Sequence, residues 1–384
     1  MKKLEMRTSP IGRQLGKILA LLLLIASFFS LASPVSAGPN SGIGGKRDVD
    51  VMTVNLYVGG DISRVMTLDP IATNYLDQLV EAVTGVYYEI VASAPPVRLQ
   101  TVANEIAARM PDIVAVEEAS LLRVQSPGDL IVGGTTPATN VVYDYLEILV
   151  ADLNAQGARY KVVSTANEID VELPMFNLQT GTIYDVRLSD REAILVRTDL
   201  PPGQFRVSHP QSGNFAYHIT IPGIGLDVER GWCSVDVAIR GRNFRCICAH
   251  PEQETVPQLQ VLQVQELLAG PANTKLPVIL LGDFNSDPLH RDGSVAYDLI
   301  PAAGFGDAWA TLNPTTLAGG LTWGHDEFLA DPGMDFDRRI DFVFFRGKGI
   351  VPVEAAVLDM TTGQSQPPLW ASDHAGLSAG FLLK

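Results

Sequence analysis

From residue 49 onward the chain moves between short apolar runs and stretches of helical spacing. Val49–Tyr57 alternates apolar and polar residues and predicts a strand. Residues 71–93 and 98–110 carry helical spacing, separated by Ala94-Pro95-Pro96; in the second, Leu99, Val102, Ile106 and Ala107 share one face. Pro111 ends that helix, and Ile113–Val116 is an apolar run suited to a buried strand. Residues 120–190 are less regular and predict loops around a helix near 143–155. Ala193–Arg197 predicts a strand, and 201–231, rich in Gly and Pro, a long surface excursion. Strands follow at 232–240 and 244–249, joined through Gly241-Arg242-Asn243, then a helix at 257–269. Val278–Leu281 is a buried strand stopping at Gly282, 286–335 is largely loop, and Arg339–Phe345 and Gly376–Leu382 are the last strands.

This mixture of helices and strands buried on both faces predicts two sheets packed face to face with helices outside. No repeat and no linker divides 47–384, which reads as one domain, and a monomer is expected. Polar residues recur at the ends of the apolar strands: Asn55, Glu118, His250, Asp283, Asp341 and Asp373. A packed sandwich can bring such positions together at one rim.

The longest apolar run lies before all of this. Ile18 to about Phe29 follows Lys2, Lys3, Arg7, Arg13 and Lys17 and precedes Ser33-Pro34-Val35-Ser36-Ala37. That order predicts a secretory signal peptide over 1–37, cleaved near Ala37, because the run is short for a membrane span. The expected product is secreted or periplasmic, with no stable membrane insertion, and begins with a flexible Gly/Ser-rich stretch at 38–46. The chain has 28 Lys+Arg against 43 Asp+Glu, a net charge of -15. Residues 1–37 hold five of the basic residues and only Glu5 of the acids, so the remainder is near -19. The broad basic footprint of a tight, nonspecific nucleic-acid binder is therefore missing, and a nucleic acid would have to be held locally or through cations. The three cysteines, Cys233, Cys246 and Cys248, are too few for a zinc centre. A bridge from Cys233 to one of the others and three small buried side chains are both open readings.

Four segments carry candidate chemistry. Asp112 to Glu118 delivers carboxylates to a strand end, where they could hold a hard cation or simply be solvated. In Gly282-Asp283-Phe284-Asn285, Asp283 could orient a water and the Asn285 amide could donate to a phosphate oxygen; an Asx turn is the plainer reading. Asp341 sits in an apolar strand and needs a partner, either an imidazole or Arg338 or Arg339. His374, after Asp373, and His250, closing its strand, could serve as acids or bases.

Taken together, Val51-Met52-Thr53-Val54-Asn55, Pro111–Glu118, Gly282–Asn285, Arg339-Ile340-Asp341-Phe342 and Ser372-Asp373-His374 resemble the endonuclease/exonuclease/phosphatase superfamily. The resemblance implies an α/β four-layer sandwich of the deoxyribonuclease I type and a Mg²⁺-dependent phosphoesterase, with Mn²⁺ or Ca²⁺ as alternatives. It implies Glu118 as the principal metal-binding acid, with Asn55 and Asp373 beside it. Glu117 stands where the family usually has Gln. The same resemblance makes Asp283 the residue that orients the attacking water and Asn285 a phosphate contact. Asp341 becomes the partner of the essential His374, and His250 the first histidine. Arg191, in Asp190-Arg191-Glu192, matches a phosphate-contacting arginine, and Trp323 matches a loop bordering the site, where it stacks on substrate or packs.

Three substrate readings compete. Arg191 and the paired histidines favour a nuclease, and the acidic charge weakens that reading. Export favours a phospholipid phosphodiesterase, for which Phe215, Tyr217 and Ile219 are the best membrane-entry candidates. A phosphatase acting on small phosphate esters, inositol phosphates among them, needs a basic pocket, and arginine-rich loops are scarce. An inactive secreted binding protein is disfavoured because Asp283 and His374 are both present.

Overall fold

Val49–Asn55 (β1) is buried nearly throughout because it is the centre of a sheet. It pairs parallel with Ile113–Glu117 (β2) on one side and antiparallel with Gly376–Leu383 (β16) on the other. The computed structural model describes residues 48–315, 319–333 and 336–384. The export segment expected over 1–37 and the stretch at 38–46 lie outside them.

Beyond β16 lies Ile350–Leu358 (β15), an edge strand that the sequence pattern missed. Beyond β2 come Thr182–Arg197 (β6), Leu121–Gln125 (β3) and Asn140–Asp144 (β4), with Tyr160–Asn177 (β5) paired along β6. The β5–β6 hairpin replaces the loops expected over 120–190. Bulges between Val162 and Ser164 and between Asn167 and Asp170 interrupt its alternation.

The second sheet has six strands. Gly231–Ile239 (β10) and Arg242–His250 (β11) form a hairpin whose two-residue turn puts Arg240 and Gly241 at φ 47° and 80°, as a type I′ turn requires. Val278–Asp283 (β12) runs parallel to β11, and Asp341–Arg346 (β14) runs antiparallel to β12. Gly306–Asp307 (β13) and Phe205–Asn214 (β7) are the edges. β7 corrects the expected 201–231 excursion. It is a mostly exposed edge strand, so Pro210 costs it no ladder bond it needs and burial imposes no alternation on it. The short pair Ile219–Ile221 (β8) and Leu226–Val228 (β9) completes that segment.

Three apolar interfaces define four layers. Val49, Val51, Ile113, Ala115, Val235, Cys246, Ile279, Val343 and Leu377 pack between the sheets. The outer face of the first sheet packs on Pro95–Arg109 (α3) and Tyr145–Ala155 (α4) through Leu99, Val102, Ile106, Leu149 and Leu153. The outer face of the second packs on Pro257–Ala269 (α5) and Ala296–Ala302 (α6). Pro95 and Pro96 open α3, three residues before the predicted start, because proline suits a first helical turn. The long helix expected over 71–93 is Tyr75–Ala92 (α2), and the short helix Ser63–Met66 (α1) precedes it. Ala308–Leu312 (α7) is the last helix. An apolar cavity of about 80 Å³ lies among Val83, Val86, Leu122, Ile169, Val186 and Leu188.

The three cysteines are free and buried, with Cys233 directly opposite Cys248 across the hairpin. No helix among the described residues is long and apolar enough to cross a membrane. Phe215 is in the core beneath α5, so it cannot be a membrane-entry side chain.

Arg98 is fully buried on α3 and donates to the carbonyls of Leu56, Tyr57, Ser93 and Ala371 and to the Tyr145 hydroxyl. Replacement by Met would strand these acceptors without a donor. Arg98→Met should therefore lower unfolding free energy by roughly 3–5 kcal/mol, read by chemical denaturation.

Candidate active site

The C-terminal ends of the parallel strands β1, β2, β11 and β12 open onto one rim, together with the start of β14 and the turn before β16. They surround a cleft of about 210 Å³ lined by Glu118, His250, Gln253, Glu254, Asp283, Asn285, Trp323, Arg338, Ile340, Asp373 and His374. The cleft thus gathers seven of the ten residues singled out in the sequence. Asn55 and Asp341 support it from behind, and Arg191 lies elsewhere.

Asp283 is the hub. Its Oδ1 accepts from the Asn285 backbone N–H at 2.8 Å, and its Oδ2 accepts from Asn55 Nδ2 at 3.1 Å. The same Oδ2 faces His250 Nε2 at 3.5 Å and His374 Nε2 at 3.7 Å. Burial, opposed by His374 and reinforced by Asp341, pushes its carboxyl up to about 7. Gly282 makes this placement feasible: its φ is 143°, and a Cβ there would lie 1.9 Å from the Ala249 carbonyl oxygen. Glu118 and Asn285 adopt φ 53° and 47°, left-handed backbone that aims them into the cleft.

The two histidines are set apart electrically. Burial would lower His374, but Asp341, Asp373 and Asp283 overcome it and hold its pKa well above the ordinary value. Its Nδ1 is 2.9 Å from Asp341 Oδ2, so Asp341 is the imidazole's partner, while Arg339 pairs with Asp307 and Arg338 with Glu254. His250 is pushed well below its ordinary value by burial, then by Arg230 and His374. Its Nε2 accepts from the Asn285 amide at 3.1 Å, leaving Nδ1 to donate to Glu192 Oε1 at 3.1 Å. One cationic and one neutral imidazole therefore face the same carboxylate.

Glu118 Oε2 accepts from the Val58 N–H at 2.7 Å and Oε1 from Asn55 Nδ2 at 3.1 Å. The Asn55 oxygen accepts from the Tyr57 N–H at 2.9 Å. In this arrangement Asn55, expected beside the metal, turns its amide N–H groups to Glu118 and Asp283 and joins the two. Burial, opposed by His374 and reinforced by Glu118, raises Asp373 to about 6. Two cleft-facing carboxylates in this electrostatic position fit a hard divalent cation, which relieves their repulsion and takes oxygen donors.

Arg191, expected as a phosphate contact, lies away from the cleft. Its guanidinium bonds Asp144 and the carbonyls of Ala119 and Ser120, so it braces the turn after Glu118 and does not line the cleft. Trp323 does line it, with one face covered by the Arg338 guanidinium 3.8 Å from the ring centroid.

Sequence reasoning missed the charges behind His250. Arg230 is buried against Glu168 at 3.6 Å, Glu252 at 3.2 Å and the His250 ring. Burial, opposed by Arg230 and reinforced by Asp190, raises Glu168 well above the usual carboxylate range, and burial with Glu168 and Glu117 does the same to Glu192. The β5 bulge turns Glu168 inward, and no local pattern signals that. Glu168, Glu192 and His250 bring ligand-type atoms within 4.8 Å of one another, as do Asp283, Asp341 and His374.

A model of the endonuclease/exonuclease/phosphatase family matches residues 52–374. The chain belongs to this family. Members of the endonuclease/exonuclease/phosphatase family are metal-dependent phosphoesterases, and the chain is an enzyme of that class. The fold agrees. A family protein from Leptotrichia buccalis C-1013-b superposes with TM-score 0.51 at 15% identity, covering 87% of this chain and 99% of that one. A mannosyl-6-phosphatase from Bacteroides thetaiotaomicron VPI-5482 gives 0.52 at 15%, covering 87% and 100%. A second family protein from Bacteroides thetaiotaomicron gives 0.52 at 16%, covering 88% and 98%. No curated protein sequence matches the chain.

Glu117, buried behind the family's cleft, accepts from Thr53 and Cys248, and its Oε2 has no hydrogen-bond partner among the described residues. Burial, then Asp341, raises it to about 8 from 4.5. The folded state therefore holds this proton where the unfolded state has lost it, and stability falls as pH rises between those values. Glu117→Gln should remove that loss: its melting temperature should match wild type near pH 5 and exceed it by several degrees at pH 8. Gly282→Ala should lower both stability and metal-dependent activity, because it displaces Asp283; calorimetry and turnover on one preparation would test the pair.

Proposed function

We propose that the protein hydrolyses a phosphate ester by in-line attack of water, with Mg²⁺ as the working ion and Mn²⁺ or Ca²⁺ as alternatives. The observation that carries this is the convergence of a cationic and a neutral imidazole on Asp283. A divalent cation held by Glu118 and Asp373 supplies charge neutralisation at the phosphoryl oxygens. Asp283 positions the water and takes its proton. The Asn285 amide, which donates to His250 Nε2 at 3.1 Å and to the Pro251 carbonyl at 3.2 Å, gives up one of these bonds to hold a non-bridging oxygen. His374, fixed by Asp341, stays protonated and stabilises the charge that develops as the P–O bond lengthens.

The cleft weighs on the substrate readings. Nuclease action keeps the two histidines in its support and loses Arg191. The phospholipid reading loses Phe215. A small phosphate ester gains from the cleft's modest volume and from Arg338, the sole Arg or Lys among its lining residues. Export through residues 1–37 stays part of the proposal, carried by their charge and apolar order alone.

The test presents supercoiled plasmid, bis(p-nitrophenyl) phosphate and p-nitrophenyl phosphate to the purified protein, with Mg²⁺ and with excess chelator. Cleavage of at least one should need metal and fall about 10²–10⁴-fold in Asp283→Asn and in His374→Ala. No metal-dependent cleavage by well-folded protein would overturn the proposal. Activity should rise with pH as Asp283 ionises, with an acid limb no higher than about 7. It should fall on the alkaline side as His374 loses its proton, well above 6.5. A pH–rate profile reads both limbs.

A further inference from the structure

We propose that Arg338, laid flat on Trp323, is the residue by which this cleft selects a phosphate monoester over a diester. The inference rests on the hydrolase reading above and narrows its substrate.

The charge balance comes first. The cleft is lined by four acids, Glu118, Glu254, Asp283 and Asp373, against Arg338 and the two histidines, of which His374 is the cationic one. A bound divalent cation, Asn285 and His374 suffice for the single charge of a diester. A monoester dianion brings a second charge, and Arg338 is the cleft's one Arg or Lys side chain to receive it.

The geometry comes second. Trp323 bridges antiparallel to Arg338 on one side and to His374 on the other, which sets Arg338 beside the reacting end of the cleft. The guanidinium lies 3.8 Å from the Trp323 ring centroid. Its Nη1 donates to Glu254 Oε1 at 2.8 Å and its Nε to Asp337 Oδ1 at 3.2 Å. Among the described residues Nη2 makes no hydrogen bond. The fork is thus held in one plane by an aromatic face and two carboxylates, with one nitrogen uncommitted to any described residue. A planar donor set suits the two oxygens of a terminal phosphoryl group, and a lysine cannot reproduce it. Glu254 also lines the cleft, so it competes with the incoming phosphate for the guanidinium.

Calorimetric titration tests this without turnover. Inorganic phosphate and dimethyl phosphate are titrated into the Mg²⁺-loaded wild type, Arg338→Ala and Arg338→Lys. Phosphate affinity should fall at least tenfold in Arg338→Ala and be partly restored in Arg338→Lys. Dimethyl phosphate should change less than threefold, or bind no form. Glu254→Gln should bind phosphate severalfold more tightly, and that gain should vanish when Arg338→Ala is added. A merely structural ion pair would give the opposite sign for Glu254→Gln. An equal loss for both ligands, no loss, or no binding of phosphate to the wild type would overturn the proposal. Phosphate binding that depends on Arg338, with no ester cleaved, would sink the hydrolase reading and leave the selectivity standing.

Discussion

Arg98 carries a full positive charge with no access to water, and its hydrogen bonds all go to uncharged oxygens. A buried cation held by carbonyls fixes those carbonyls closely, because losing any one leaves charge unsolvated. Leu56 and Tyr57 lie directly after β1, Ala371 before β16, and Ser93 between α2 and α3. Asn55 directly precedes the first of these segments, and Ser372, Asp373 and His374 follow directly on the second. The Ser372 hydroxyl donates to the Asn55 carbonyl at 2.8 Å and completes the seam. The cleft's geometry is therefore set from the back, by a residue on α3 that never meets substrate.

In front of that seam the protein concentrates acids that burial disfavours. Glu117, Asp190, Glu192, Asp283 and Asp373 are all raised, with desolvation the largest cause in each. Such a cluster weakens the fold while it prepares the rim for a cation. Arg230 and the cationic His374 offset part of the repulsion, and Arg191 stiffens the turn that carries Glu118. The roles divide cleanly: some charges act in the cleft, and others hold the acting ones in place.

Much of the cleft was legible because its residues end strands whose apolar runs are unmistakable, as at Val54-Asn55, Leu281-Gly282-Asp283 and Ile340-Asp341. Family order then supplied the roles, and the structure agrees in bringing Glu118, His250, Asp283, Asn285, Asp373 and His374 to one rim. Asn55 sits behind the rim and Arg191 away from it, placements no motif could give, because a motif names a residue but not which of its atoms face which way. The β5–β6 hairpin and β7 were illegible because bulges and an exposed edge remove the period that burial imposes. Arg338 and Glu254 are 84 residues apart, so no local pattern could have joined them.

The closure of the first sheet has a consequence in time. β1, near the start of the described chain, pairs with β16, at its end, and Asn55 meets Ser372 across 317 residues. Contacts this distant in sequence form late and slowly. A growing chain on the ribosome holds Glu118 and Asp283 long before it holds His374. The cleft is therefore incomplete until β16 has been made and closes against β1.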